Sequence, residues 1–387
     1  MGARDVKLFL IAGEASGDAL GAALMAGLGT LAPGIGFAGV GGPAMAAEGL
    51  QSLFPMEELS VMGLVEVLPR LRALRRRIDE TATAVLRQAP DALVTIDSPD
   101  FCLRVARAVR AVRPEQKVIH YVAPTVWAWR PGRAAKMAPL VDHVLALFPF
   151  EPPYMRAAGM SCDFVGHPVV AAPRAGPEAA AAFRAAQMIG PDQPLLLCLP
   201  GSRRGEVRRL LPRFERALAL LRKDQPGLRV AIPTLGGVAE EVRAQAARWP
   251  VAPLVIEAAA EKRAAFAAAD LALAASGTVS LELAANDVPM VIAHDFNRVS
   301  WWLMKRAALI DTVTLVNIVS GTRAVPEFLG PACRPAPIAR ALAALLADPA
   351  ARAAQRRAMA MTMERLGQGG EAPGLRAARS VLAQLGR

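Results

Sequence analysis

Short apolar runs punctuate this sequence from end to end, and stretches with helical spacing separate them. In the first half the runs are 6–12, 35–40, 92–96, 117–122, 141–147 and 162–165. In the second they are 195–199, 229–233, 253–257, 270–275 and 289–293. Strand-length runs alternating with helices make a parallel sheet covered by helices. The rhythm breaks where Pro173, Gly176 and Pro177 fall close together, then restarts. The expected fold class is therefore α/β, with two doubly wound parallel-sheet domains at 1–170 and 171–366. A Gly-rich break at 367–374 precedes a last helical segment, 375–387, expected to pack back on the first domain. No internal repeat is visible.

At 387 residues the chain is long enough for two full cores. Hydrophobic residues at 53% against charged residues at 20% exclude a disordered chain. No uncharged apolar run reaches the roughly 18–20 residues of a bilayer span. The run at 6–12 is too short, and too close to Glu14 and Asp18, for a secretory signal. The expected compartment is the cytosol. Cys102, Cys162, Cys198 and Cys333 are scattered, which reads as buried reduced thiols. His120, His143, His167 and His294 form no metal-ligand spacing, and no Asp-x-Asp motif occurs, so neither a metal nor a cofactor is expected. The net charge of +11 points to an anionic partner: nucleic acid, an anionic membrane face or a phosphorylated substrate. Aromatics make up only 5%, with no interleaved basic-aromatic motif, so nucleic acid is the weakest of the three.

Two turns in the second half suit a phosphate. Leu199-Pro200-Gly201-Ser202-Arg203-Arg204-Gly205-Glu206 links an apolar run to a helical pattern through Val207, Leu210, Leu211, Phe214, Leu218 and Leu221. Gly lets the backbone approach an anion, a helix N-terminus offers N–H groups, and Arg adds a fork of donors. Ala275-Ser276-Gly277-Thr278-Val279-Ser280-Leu281-Glu282 has the same form. Either turn alone reads as an ordinary strand–helix corner; together, with Arg203, they point to a nucleotide diphosphate.

The first half carries acids at its strand ends. In Gly13-Glu14-Ala15-Ser16-Gly17-Asp18, Glu14, Ser16 and Asp18 suit sugar hydroxyls better than phosphate, although Ser16 or Asp18 also suits a helix cap. Ile96-Asp97-Ser98-Pro99-Asp100-Phe101 sets two carboxylates after an apolar run, where one can take a proton from an attacking hydroxyl. Asp100 also suits a cap, and Asp97 is the stronger candidate base. Trp127, Trp129 and Arg130 end another run as a wall for sugar or lipid, or as plain packing. Met62, Leu64, Val65, Val67 and Leu68 form an apolar cluster. Pro69 then suits a helix start, and Leu71, Leu74 and Ile78 keep helical spacing among Arg70, Arg72, Arg75, Arg76 and Arg77. That pattern suits an anionic membrane or a phosphorylated lipid, as well as a core-facing helix with a solvated basic face. Trp301-Trp302-Leu303-Met304-Lys305-Arg306 is a second such patch.

Taken in order, these motifs resemble those of the lipid-A-disaccharide synthase family. The resemblance runs from 12–18 through 39–45, 56–68, 96–101, 120–130, 149–151, 164–167, 200–206 and 276–282 to Asn317. It implies the GT-B glycosyltransferase fold, two Rossmann-like domains facing a cleft. It also implies an inverting transfer of diacylglucosamine from its UDP derivative to 2,3-diacylglucosamine 1-phosphate (lipid X), giving the β-1,6 lipid A disaccharide and UDP. Asp97 falls on the family's candidate base. Gly201, Ser202, Arg203, Ser276, Gly277, Thr278, Glu282 and Asn317 fall on its nucleotide-side elements, and Met62, Leu64, Val65, Val67, Leu68 and Leu71 on its membrane and acyl segment. Pro69 within that segment, Arg204-Gly205 after Arg203 and Val316 before Asn317 depart from the family pattern. The partners implied are UDP-diacylglucosamine, lipid X and the anionic cytoplasmic face of the inner membrane, with a homodimer left open and no nucleic acid. A UDP-N-acetylglucosamine epimerase is the competing enzyme class on the same fold; it needs no lipid element.

Overall fold

The computed structural model describes residues 6–60, 67–234, 236–296, 301–302 and 306–387. The chain divides into two compact units, Met1–Ala171 with Gly369–Arg387, and Ala172–Gln368.

The first unit is built on β1 (Lys7–Ala12), β2 (Gly36–Val40), β3 (Ala92–Ile96), β4 (Val118–Tyr121), β5 (His143–Ala146) and β6 (Ser161–Phe164). They form one sheet in the order β2-β1-β3-β4-β5-β6, and every pairing is parallel. The second unit holds β7 (Leu195–Leu199), β8 (Arg229–Pro233), β9 (Leu254–Ile256), β10 (Leu271–Ala274), β11 (Met290–His294) and β12 (Glu327–Leu329). Its order is β12-β11-β10-β7-β8-β9, again all parallel. Helices cover both sheets, which is why β3, β7 and β10 are buried at every residue and read as unbroken apolar runs.

Eleven of these strands coincide with the apolar runs. The twelfth, β12, has no apolar run to mark it: it has three residues, one of them Glu327, and follows Pro326. Its strand character comes from pairing with β11. The Glu327 carboxylate accepts from Thr312 Oγ1 (2.7 Å) and the Val313 amide (3.1 Å), tying the preceding loop to the sheet edge.

The sheet orders fix where a ligand can sit. In the first sheet the crossovers leave β1 and β3 in opposite directions; in the second they part between β7 and β10. At such a switch point the loops beyond the carboxyl ends separate and leave a crevice. Ala12 pairs with Ile96, so the loops beginning at Gly13 and Asp97 are neighbours. Ala274 pairs with Leu199, so those beginning at Pro200 and Ala275 are neighbours too.

The last helix, Pro373–Gln384, lies on the Ala15–Leu31 helix of the first unit. Glycine makes that approach feasible. A Cβ on Gly27 would stand 2.6 Å from the Gly374 carbonyl oxygen, and one on Gly374 would stand 2.4 Å from that of Ala23. A polar clasp adds to it. The buried His143 ring meets Ser380 Oγ through Nε2 (2.8 Å) and Ser161 Oγ through Nδ1 (2.7 Å), and Ser380 Oγ donates to Asp163 (2.7 Å). Gly27→Val is expected to lose roughly 1–3 kcal/mol or more of stability, since backbone must move to admit the side chain. A urea midpoint that falls with an unchanged slope would show it.

Candidate active site

In the first unit the loops after β1 and β3 touch. A Cβ at Gly13 would lie 2.5 Å from Ser98 Oγ, so only glycine lets the two loops close. Asp97 and Ser98 both hold left-handed backbone, with φ of 51° and 41°. Two consecutive non-glycine residues there store strain of order 1–3 kcal/mol each, a cost that clusters at functional sites. The Asp97 amide still donates to the Tyr121 carbonyl (2.9 Å), so the sheet anchors the turn while it aims the side chain.

The Asp97 carboxyl is half-buried beside that of Glu14, to which its protonated form hydrogen-bonds. Burial first, then that hydrogen bond and the Glu14 charge, push its pKa up to about 6. Ser16 Oγ donates to Glu14 Oε1 (3.0 Å). Glu14, Ser16 and Asp97 thus come together. Asp100 is exposed in the first turn of the Pro99–Val112 helix, whose cap position is Ser98. Asp18 belongs elsewhere. It is 4% exposed, and its carboxylate accepts the amides of Gly42 (2.8 Å), Ala44 (2.8 Å) and Met45 (3.0 Å). Buried and engaged by these three amides, it holds the Pro43–Ala47 turn, where a sugar-facing side chain was expected.

The aromatic wall divides. Trp127 is buried, donates its indole N–H to Glu151 Oε1 (3.2 Å) and meets Phe150 edge-on. Glu151 also accepts the Leu147 and Phe148 amides, and burial pushes its pKa up to about 7. Trp129 lies at the surface, with Arg130 over its ring. Met62, Leu64 and Val65 lie outside the described residues. Val67, Leu68 and Leu71 fall in the first turns of the Val67–Gln88 helix. Farther along that helix Ile78 is buried and Leu74 packs on the core, so these two positions take the core-facing reading. Arg77 pairs with Glu58 and Glu80, both at 2.7 Å, while Arg72, Arg75 and Arg76 are exposed.

In the second unit, Gly201 has φ of 108°, and a Cβ there would meet the Glu206 carboxylate at 2.5 Å. The Arg204–Asp224 helix begins directly after Arg203, so Arg204 and Gly205 present amides with no intrahelical acceptor. Glu206 tethers Arg203 only loosely, at 3.5 Å, and leaves the guanidinium side chain 85% exposed. Ser202 is exposed beside it. At the neighbouring turn Gly277 has φ of 143° and open space around it. Thr278 occupies the cap position of the Val279–Ala285 helix. Ser276 Oγ meets His294 Nδ1 (2.9 Å), and Glu282 pairs with Lys262 (2.9 Å).

Neither His294 nor Lys262 carries a sequence signal for this site. His294 ends β11 one residue past the apolar run, and no local pattern marks Lys262. Asn317 lies in the Leu315–Ser320 helix. It is 1% exposed, and its amide donates to Thr312 Oγ1 (3.2 Å) and the Val325 carbonyl (2.9 Å) while its oxygen accepts the Val325 amide (3.0 Å). These bonds tie the side chain to its own loop. Among the described residues no group of three or more His, Cys, Asp or Glu side chains converges as metal ligands.

The family model for lipid-A-disaccharide synthetase matches residues 8–377. The chain belongs to the lipid-A-disaccharide synthase family. The synthase of Ruegeria pomeroyi is 60% identical, over 99% of this chain and 96% of its own. That of Rhodospirillum centenum is 51% identical, over 98% and 94%. Among solved structures, a Neisseria meningitidis UDP-GlcNAc 2-epimerase bound to UDP-GlcNAc aligns with a TM-score of 0.65 at 12% identity, over 98% of this chain and 99% of that one. The calicheamicin glycosyltransferase CalG4 aligns with a TM-score of 0.58 at 20% identity, over 100% and 99%. These neighbours share the two-unit α/β GT-B fold; the family relatives make this member a glycosyltransferase of lipid A biosynthesis.

Asn317→Ala is expected to lower stability by about 1–3 kcal/mol, by leaving buried partners unsatisfied. Thermal unfolding checks it: an unchanged midpoint with a raised KM for the nucleotide donor would assign Asn317 to the ligand instead.

Proposed function

We propose that this family member transfers 2,3-diacylglucosamine from its UDP derivative to the 6-hydroxyl of lipid X, forming the β-1,6 disaccharide and releasing UDP. The observation that carries the proposal is the chemistry at the two switch points. One presents paired carboxylates; the other presents glycine turns, helix amides and a solvent-exposed guanidinium.

Asp97 is the general base. Its pKa of about 6 leaves it ionised at neutral pH yet a better proton acceptor than an ordinary carboxylate. It takes the proton of the acceptor hydroxyl as that oxygen attacks the anomeric carbon, and the carbon–oxygen bond to the diphosphate breaks on the opposite face. The electron pair leaves with UDP, so the α-linked donor becomes a β-linked product in one displacement. Glu14 keeps Asp97 basic, and Ser16 with Glu14 orients sugar hydroxyls; Asp100, exposed one turn on, lines the approach. On the donor side Arg203 and the amides following Gly201 and Gly277 receive the growing diphosphate charge. Glu282 accepts from the ribose hydroxyls, its carboxylate positioned by the ion pair with Lys262. Both lipids are membrane amphiphiles, and no helix among the described residues is long and apolar enough to cross a bilayer. The segment containing Met62, Leu64, Val65, Val67, Leu68 and Leu71, followed by exposed Arg72, Arg75 and Arg76, is the proposed contact with acyl chains and the cytoplasmic membrane face.

Asp97→Asn is expected to cost about 10²–10⁴ in turnover with the fold intact. It is also expected to stabilise the protein at neutral pH. The folded pKa of about 6 lies above the ordinary 3.8, so ionising Asp97 costs stability as pH rises through that window, and the amide removes the cost. For the wild type, kcat/KM falls below about pH 6 as the base protonates; Glu14→Gln moves that limb to lower pH. Arg203→Ala is expected to cost about 10²–10³. The direct test is UDP release from UDP-2,3-diacylglucosamine with and without lipid X, in EDTA. Release that requires lipid X supports the transfer. Release without it points to an epimerase or hydrolase, and no release sinks the proposal.

A further inference from the structure

The catalytic reading leaves one concentration of charge in the second unit unused. On the Arg204–Asp224 helix, Arg209, Arg213 and Arg216 recur at spacings of four and three, so they share a face. That face, with Arg208 and Arg334, lines a cavity of about 430 Å³. Arg208 pairs with Glu241 (3.0 Å) and Arg213 with Asp295 (2.9 Å). Arg209, Arg216 and Arg334 have no acidic partner among the described residues. Cations gathered on a concave wall repel one another, and an exposed basic helix face avoids that cost by spreading its charge over convex surface. A hollow that retains the charge is matched to an anion.

The rim of the cavity indicates which anion. Gly330, one of its walls, sits under the Trp301 ring, where a Cβ would come within 2.6 Å. Trp301 in turn stacks on Phe296, with centroids 5.8 Å apart. The next residue, Trp302, is 52% exposed and carries the Arg306 guanidinium over its ring at 4.1 Å. An exposed indole beside arginine suits the depth of lipid headgroups, where the ring body is apolar and the edge is wet. Guanidinium forks in turn pair with phosphate oxygens. We propose that the second unit has its own bilayer contact, in which the arginine cavity takes the phosphate of anionic phospholipid headgroups and Trp302 enters the interface beside it. This contact is separate from the apolar segment of the first unit and does not depend on the catalytic assignments.

The test is sedimentation of the full chain with phosphatidylcholine vesicles, with and without phosphatidylglycerol. The variant is the triple Arg209→Gln, Arg216→Gln, Arg334→Gln. None of these side chains is ion-paired among the described residues and all are exposed, so the fold survives, and circular dichroism checks that. Partition onto the anionic vesicles is expected to fall about tenfold or more and to lose part of its salt dependence. Partition onto phosphatidylcholine alone, UDP affinity and turnover of detergent-dispersed substrates are expected to hold. Unchanged partition onto anionic vesicles overturns the proposal. So does a loss of UDP affinity matching the loss of partition, which would make the cavity part of the nucleotide site. Loss of oligonucleotide retention with vesicle binding intact would overturn it in favour of nucleic acid.

Discussion

A parallel strand buried on both faces has to be left by a crossover, and where two crossovers part, the sheet cannot cover its own carboxyl edge. Both units of this chain are built around that constraint. Strands β3 and β7 are wholly buried, so the chain can express chemistry only where it emerges from the sheet. The strand orders make β1/β3 and β7/β10 the places of emergence. The register then decides which loops are neighbours, with Ala12 beside Ile96 and Ala274 beside Leu199. Glu14 meets Asp97, and the Gly201 turn lies beside the Gly277 turn, because of backbone pairing several residues deeper in the core.

The two edges are opposite in electrostatic character. The first gathers carboxylates and tolerates a half-buried acid on left-handed backbone, a double cost borne in one residue. The second gathers positive φ glycines, unpaired amides and arginine, and keeps its guanidinium out in solvent. A proton acceptor and an anion receptor want contrary surroundings: the acid gains basicity from burial and a like-charged neighbour, whereas the diphosphate needs donors that cost nothing to expose.

Sequence reasoning saw the buried parts of this structure well and the cross-chain polar contacts poorly. The apolar runs located all strands but β12, whose three residues gain strand form only from their neighbour β11. Gly201 and Gly277 were legible because each precedes a helix start. Asp18 and Asn317 look like ligand groups in the sequence, where a polar residue in a glycine-rich or loop setting gives no sign of the backbone partners it takes up. The amides that Asp18 accepts belong to residues 24 to 27 positions on, a separation no local pattern reveals. The Glu282–Lys262 and Ser276–His294 pairs were hidden for the same reason. Glu14 against Asp97 needed the register of two strands that are far apart in the sequence.

The glycine-mediated seat of the last helix on the Ala15–Leu31 helix has a consequence for how the chain is made. Translation runs from the amino end, and domains generally fold as they emerge, at about 5–20 residues per second. The second unit, Ala172–Gln368, is synthesised in full before the first can be completed. At that pace the first unit waits roughly 10–40 s with its Gly27 face bare. It is finished only after the Pro373–Gln384 helix has emerged. The amino-terminal unit is therefore the last to mature, and a ribosome that stops short of Pro373 releases a complete second unit joined to an unfinished first.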